Sequence, residues 1–103
     1  MKNNHLINID KLPELLKHDY TFIDLRDSKQ FKTVHITKFI NIPYHDFQNH
    51  LINLPKNKPI FLICYSGSRS YKLAIQLNQL GYQAYSFNGG FYAIEHPINN
   101  QYY

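Results

Sequence analysis

The 103 residues are 44% hydrophobic and 16% aromatic, the make-up of a folded globule with room for one core and not for two. A formal charge of +4 rests on scattered lysines with no basic run, which argues for a solvated basic surface that favours small anions and against a nucleic-acid stripe. There is no run of about 18 apolar residues to span a membrane, the first residues lack the apolar core of a secretory signal, and the single cysteine, Cys64, has no partner for an internal disulfide, so a reducing, cytoplasmic setting is expected.

Along the chain, Leu6-Ile7-Asn8-Ile9 reads as a first strand. Asp10 then suits a helix N-cap, Pro13 fits the first turn, and Leu12, Leu15 and Leu16 give that helix one apolar face. A second strand over 21–25 ends in Arg26-Asp27, and a short helix over 28–32 buries Phe31. Phe39 to Ile42 is a third strand, stopped by Pro43, and residues 45–54 carry Phe47, Leu51 and Leu54 at helical spacing before Pro55. Pro59 to Cys64 is apolar on both faces, as in the central strand of a covered parallel sheet. A helix over 70–80 presents Leu73, Ala74, Leu77 and Leu80 on one stripe and stops at Gly81. A fifth strand over 82–87, a turn at Asn88-Gly89-Gly90 and a last short helix from Phe91 follow, and residues 99–103 read as a frayed tail outside a core of residues 5–98. Strands alternate with helices, so the expected class is α/β, one domain over residues 1–103, with a mostly parallel sheet of about five strands and helices on both faces.

In such a sheet ligands sit beyond the carboxyl ends of the strands, and Cys64 closes the most apolar one. It opens the segment Cys64-Tyr65-Ser66-Gly67-Ser68-Arg69-Ser70, a strand-loop-helix junction of the kind that gathers anions. If the loop curls round the sulfur, the amides of residues 65–69 converge on it and the following helix adds its dipole, both favouring thiolate over thiol. Gly67 permits the turn, Arg69 offers a planar fork to a bound oxyanion, and Ser66, Ser68 and Ser70 supply hydroxyls to the anion or to the helix start. Tyr65 is placed to cover the sulfur or to select its acceptor. Arginine occurs only at Arg26 and Arg69, so both planar forks fall in the segments singled out here. On its own, a cysteine ending an apolar strand is more often an inert core residue; the Gly-x-Arg-Ser that follows turns the balance toward a nucleophile.

The loop resembles that of the rhodanese (thiosulfate sulfurtransferase) family, Cys-x-x-Gly-x-Arg-Ser. Asp24-Leu25-Arg26, His35-Ile36, Ile40-Asn41-Ile42-Pro43 and Asn88-Gly89-Gly90-Phe91 resemble further segments of that family, in its order. The resemblance implies a three-layer rhodanese-like domain and a ping-pong sulfurtransferase in which Cys64 becomes a persulfide. Donors would be thiosulfate or persulfides, and acceptors cyanide, small thiols or a sulfur-accepting protein's cysteine. No cofactor and no metal is implied, and the six histidines show no ligand spacing. Residues 65–70 would bind substrate with Cys64 as the catalytic group, while Asp24, Arg26 and His35 would support the scaffold. The family often has an acidic residue where Gln30 stands, which questions the source of a salt bridge to Arg26. A second reading is a relay or binding module that passes sulfur with a partner protein and turns over thiosulfate poorly. A cysteine phosphatase is the third; those enzymes have a loop one residue longer between Cys and Arg than Tyr65 to Ser68 provides.

Overall fold

The computed structural model describes residues 5–96, so the expectations for Met1–Asn4 and for the tail lie outside the described residues. Among these residues, five strands form one sheet: β1 (Leu6–Ile7), β2 (Thr21–Asp24), β3 (Ile40–Asn41), β4 (Ile60–Ile63) and β5 (Ala84–Phe87). Their order is β1-β5-β4-β2-β3 and every pair is parallel. All four residues of β4 are buried, because it sits in the middle of the sheet with a layer packed on each face. Its period of two sends Ile60, Leu62 and then Cys64 to one side and Phe61 and Ile63 to the other.

The first side is covered by α3 (Ser68–Gln79) through Leu73, Ala74 and Leu77, together with Phe47. The second is covered by α1 (Leu12–Leu15), α2 (Ser28–Thr33) and α4 (Gly90–Glu95), which bring Leu12, the half-buried Phe31 and Phe91 against Phe22, Phe39, Phe61 and Phe87. Each apolar side chain enclosed in this way stabilises the fold by about 1.5–3 kcal/mol relative to leaving it in water. The expected α/β class with three layers is what the chain adopts, and its sheet is parallel throughout the described strands.

Several elements differ locally from their sequence reading. Asp10 caps nothing: it lies inside a 3-10 turn over Ile9–Lys11, and α1 follows without a side-chain cap. The stretch expected as an ordinary helix over 45–54 is a 3-10 winding, Tyr44–Asn53. His45, Asn49, His50 and Asn53 are weak helix formers, and the side chains tie the turns of the tighter winding together, as when Asn49 Nδ2 donates to Asp46 Oδ1 at 2.8 Å. The winding still directs Phe47 into the core. The N-terminus of α2 is capped by Asp27, whose carboxylate accepts from the Gln30 amide at 2.9 Å. No helix among the described residues is long and apolar enough to cross a membrane.

Candidate active site

The helix expected to begin near Ser70 begins two residues earlier, and this is what builds the site. Gly67 is the N-cap of α3 and has φ +100°, a left-handed conformation that a side chain would strain. The first intrahelical bond runs from the Tyr71 amide to the Gly67 carbonyl at 3.1 Å. The amides before it have no helical acceptor. Two N–H groups turn to the sulfur: Gly67 donates to Cys64 Sγ at 3.1 Å and Ser70 at 3.4 Å. Of the amides of 65–69, all expected to converge on the sulfur, Gly67 faces it, joined by Ser70 from inside the helix.

The opposite side of the loop is held by α4. Two amides of its first turn, Phe91 and Tyr92, donate to the carbonyls of Cys64 and Tyr65, both at 2.8 Å. Carbonyl oxygens that would repel a negative sulfur are thereby turned toward another donor. Gly89-Gly90 lies so close beneath the loop that a Cβ on Gly90 would come within 2.4 Å of the Cys64 carbonyl oxygen.

Cys64 is 4% exposed and opens into a cleft of about 280 Å³ that Leu25, Pro43, Tyr65 and Arg69 help to line. Arg69 is exposed on the rim with its guanidinium 5.1 Å from the Tyr44 ring centroid, and no carboxylate among the described residues pairs with it. Tyr44 is pinned there by its amide, which donates to the Leu25 carbonyl at 2.9 Å. Ser66 and Ser68 bond each other at the rim, Oγ to Oγ 3.2 Å, and the Ser68 amide reaches Ser66 Oγ at 3.4 Å. Tyr65 stands beside them, edge-on to Tyr92 with ring centroids 5.7 Å apart. Ser70 lies elsewhere: it is buried beneath the sulfur, its hydroxyl donating to the Gly67 carbonyl at 3.2 Å.

Asp24 and Arg26 form a buried pair at the end of β2. Arg26 Nε and Nη2 grip the carboxylate at 2.9–3.2 Å, and Nη2 also donates to the Val34 carbonyl at 2.7 Å. The ion-pair partner that Gln30 cannot supply is thus Asp24. The Arg26 guanidinium also lies 3.7 Å over the Phe91 ring, next to the amide that holds Cys64. His35 is apart from the cleft: exposed, stacked on Phe31 at 3.7 Å, with Nδ1 2.7 Å from the Phe31 carbonyl.

The sequence reading passed over Ser86, fully buried with Oγ 2.6 Å from Ser70 Oγ. A serine inside an otherwise apolar strand was the available signal. It also passed over Tyr44 and His45, which line the cleft from the 3-10 winding, and the role of Gly90, for which the Gly-Gly turn was a partial cue.

The family model described as Rhodanese-like domain matches residues 8–96. The chain is similar to the thiosulfate sulfurtransferase GlpE of Coxiella burnetii, 29% identical over 87 residues that cover 82% of this chain and 81% of that one. It is also similar to the tRNA sulfurtransferase of Desulfurococcus amylolyticus, 35% identical over 82 residues, or 80% of this chain, and it spans only 15% of that protein's length. Among solved structures it resembles a rhodanese-related protein from Thermoplasma volcanium, 30% identical with a TM-score of 0.81, covering 92% of this chain and 95% of that one.

Proposed function

This chain belongs to the family of rhodanese-like domains, a sulfurtransferase-type family, and from that premise we propose that it moves a sulfane sulfur from thiosulfate or a persulfide donor to a thiophilic acceptor through a persulfide on Cys64. The observation that carries this reading is the cradle around Sγ: two amides aimed at the sulfur at 3.1 and 3.4 Å, at the floor of an open cleft whose rim carries Arg69, which pairs with no carboxylate among the described residues. Donors so arranged stabilise negative charge on a sulfur that comes and goes during transfer.

In the first half-reaction the Cys64 thiolate attacks the outer sulfur of thiosulfate. A Cys–S–S⁻ bond forms, the outer sulfur's bond to the sulfite sulfur breaks, and sulfite leaves with that electron pair. In the second, cyanide, a thiolate or a protein cysteine attacks the outer persulfide sulfur, and Cys64 leaves as thiolate. Splitting the transfer replaces one difficult displacement by two easier ones. Arg69 holds the sulfonate end of the donor, Tyr65, Ser66 and Ser68 border the entry, Gly67 and Ser70 hold the sulfur, and Asp24, Arg26 and His35 brace the scaffold. No metal or organic cofactor takes part, and the thiol works reduced, in the cytoplasm.

The test is intact mass before and after thiosulfate, with Cys64→Ser beside the wild type. Wild type alone is expected to gain one sulfur atom and to lose it to cyanide or a thiol. No gain from a folded, reduced protein overturns thiosulfate transfer; a gain from a persulfide-bearing protein instead would favour the relay role, which the likeness to one part of a much longer tRNA sulfurtransferase also supports.

Arg69→Lys keeps the charge and loses the fork. The KM for thiosulfate is expected to rise about tenfold, the equivalent of one charge-assisted hydrogen bond, while saturating thiosulfate still loads Cys64. Unchanged steady-state kinetics would show that Arg69 does not contact the anion.

A further inference from the structure

Beneath the sulfur lies a pair of hydroxyls for which sulfur transfer as proposed above has assigned no joint role. Ser70 Oγ is 3.4 Å from Cys64 Sγ, 3.2 Å from the Gly67 carbonyl oxygen and 2.6 Å from Ser86 Oγ. Both serines have zero exposure, so no solvent reaches either hydroxyl. Among the described residues the Ser86 side chain bonds Ser70 and nothing else. Counting hydrogens then decides the direction of the 2.6 Å bond. Were Ser70 the donor, the Ser86 hydrogen would be buried without an acceptor, a cost of about 1–3 kcal/mol. With Ser86 as donor, the Ser70 hydrogen is free to serve either the Gly67 carbonyl or the sulfur.

We propose that Ser86 is a positioning residue for sulfur transfer, acting through Ser70 on the charge carried by Cys64 Sγ. While Cys64 is a thiol its S–H donates to Ser70 Oγ, and the Ser70 hydrogen rests on the Gly67 carbonyl. When the sulfur becomes an anion it has no hydrogen to give and needs one. Ser70 rotates its O–H to Sγ, and Ser86 continues to donate to Ser70 from behind. The Gly67 carbonyl is not abandoned, because the Tyr71 amide still donates to it at 3.1 Å. Chains of donors polarise one another, so the Ser86 bond strengthens the one from Ser70 to sulfur. In the persulfide Sγ is uncharged, so the chain acts most where Cys64 departs as thiolate. A better-stabilised thiolate is a better leaving group, whereas as an attacking group it gains in population and loses in nucleophilicity. The effect therefore falls chiefly on discharge of the persulfide, not on loading.

Topology supplies the rigidity this needs. Ser86 pairs with Leu62 in the β4–β5 register, two residues before Cys64, so the hydroxyl comes from the strand adjoining the one that carries the sulfur. Its amide donates to the His5 carbonyl at 2.7 Å, which fixes the strand on its other edge.

The inference rests on the sulfurtransferase reading, and its test separates the two. Ser86→Thr and Ser86→Val match in shape and differ in the hydroxyl. After loading with thiosulfate or a small-molecule persulfide, discharge to cyanide is followed by mass. Ser86→Val is expected to discharge about threefold more slowly than Ser86→Thr, with the KM for thiosulfate equal in the two. Ser70→Ala is expected to slow discharge about tenfold, and adding Ser86→Val to it should change nothing further. A second readout needs no sulfur donor: the pH profile of Cys64 alkylation by iodoacetamide. There the Val variant should run to higher pH than the Thr variant by a few tenths of a unit. Arg26, Asp27, Tyr44, His45, Tyr65 and Arg69 line the cleft in both variants, so their titration cancels in the comparison. Equal discharge and equal alkylation in the Thr and Val variants would overturn the proposal. A wild type that never gains sulfur, with Thr and Val still differing in alkylation, would overturn the function and leave the hydroxyl chain standing.

Discussion

Gly90→Ala is expected to lose about 3 kcal/mol or more of stability and nearly all sulfur transfer. Gly90 has φ +61°, where a Cβ costs about 1–2 kcal/mol from the chain's own sterics. The larger cost comes from its neighbours. The added carbon would lie 2.4 Å from the Cys64 carbonyl oxygen, 2.6 Å from that of Tyr65 and 2.8 Å from the Gly67 nitrogen. All three are backbone atoms of the loop, so no rotamer change relieves them. The loop and α4 must move apart, breaking the 2.8 Å bonds from Phe91 and Tyr92 to those same carbonyls. The Gly67 amide, which faces Sγ at 3.1 Å, must move with them. The control is Gly89→Ala. At φ +81° it carries similar backbone strain, but its Cβ meets only the Ala93 methyl, at 2.9 Å. Urea midpoints and the mass gain from thiosulfate should therefore fall far more for position 90 than for position 89. Equal losses at the two positions would mean that the packing of the Gly-Gly turn under the loop is not what shapes the cradle.

The contrast between these glycines shows which parts of the architecture are visible from sequence. The loop from Cys64 to Ser70 is legible because its chemistry lies in consecutive residues: a strand end, a glycine that can take positive φ, an arginine and a helix start. Central placement of β4 is equally legible, since a run apolar on both faces has no other comfortable position. Asp27 could have been recognised as the α2 cap from its place just before Ser28. What stays hidden depends on contacts across sequence distance. Nothing local to Gly90 announces that it lies against Cys64, and nothing local to Ser86 announces Ser70. The Tyr44–Asn53 winding eluded the pattern because the spacings of four and three from Phe47 to Leu51 to Leu54 suit an α-helix, whereas the weak formers His45, Asn49, His50 and Asn53 settle in the tighter winding. α3 starts two residues before the expected Ser70 because Ser68 and Arg69, which read as loop chemistry, form the first turn that leaves the Ser70 amide free for sulfur.

Asp24→Ala should destabilise the fold by about 3–5 kcal/mol, a large share of the roughly 5–15 kcal/mol that holds a domain of this size together. The side chains of Asp24 and Arg26 are 1% and 3% exposed, so removing the carboxylate leaves a guanidinium in the interior with no counter-charge. The Arg26 amide, which donates to Asp24 Oδ1 at 3.0 Å, loses its acceptor as well. The pair does not owe its value to attraction alone, since desolvating two charges offsets much of the gain. Asp24→Ala/Arg26→Met is accordingly expected to be more stable than Asp24→Ala by itself, with the thioether filling the space over Phe91. Calorimetric melting of the two single variants and the double variant measures the coupling. Wild-type melting of Asp24→Ala would refute the buried-charge argument. The same residues tie scaffold to chemistry: Arg26 supports the face of Phe91, and the Phe91 amide holds the Cys64 carbonyl. Below its melting transition, then, Asp24→Ala should also load sulfur from thiosulfate more slowly than wild type, whereas a variant with an equal stability loss at the far edge of the sheet should not. That difference would mark the pair as a brace for the sulfur cradle and not only for the fold.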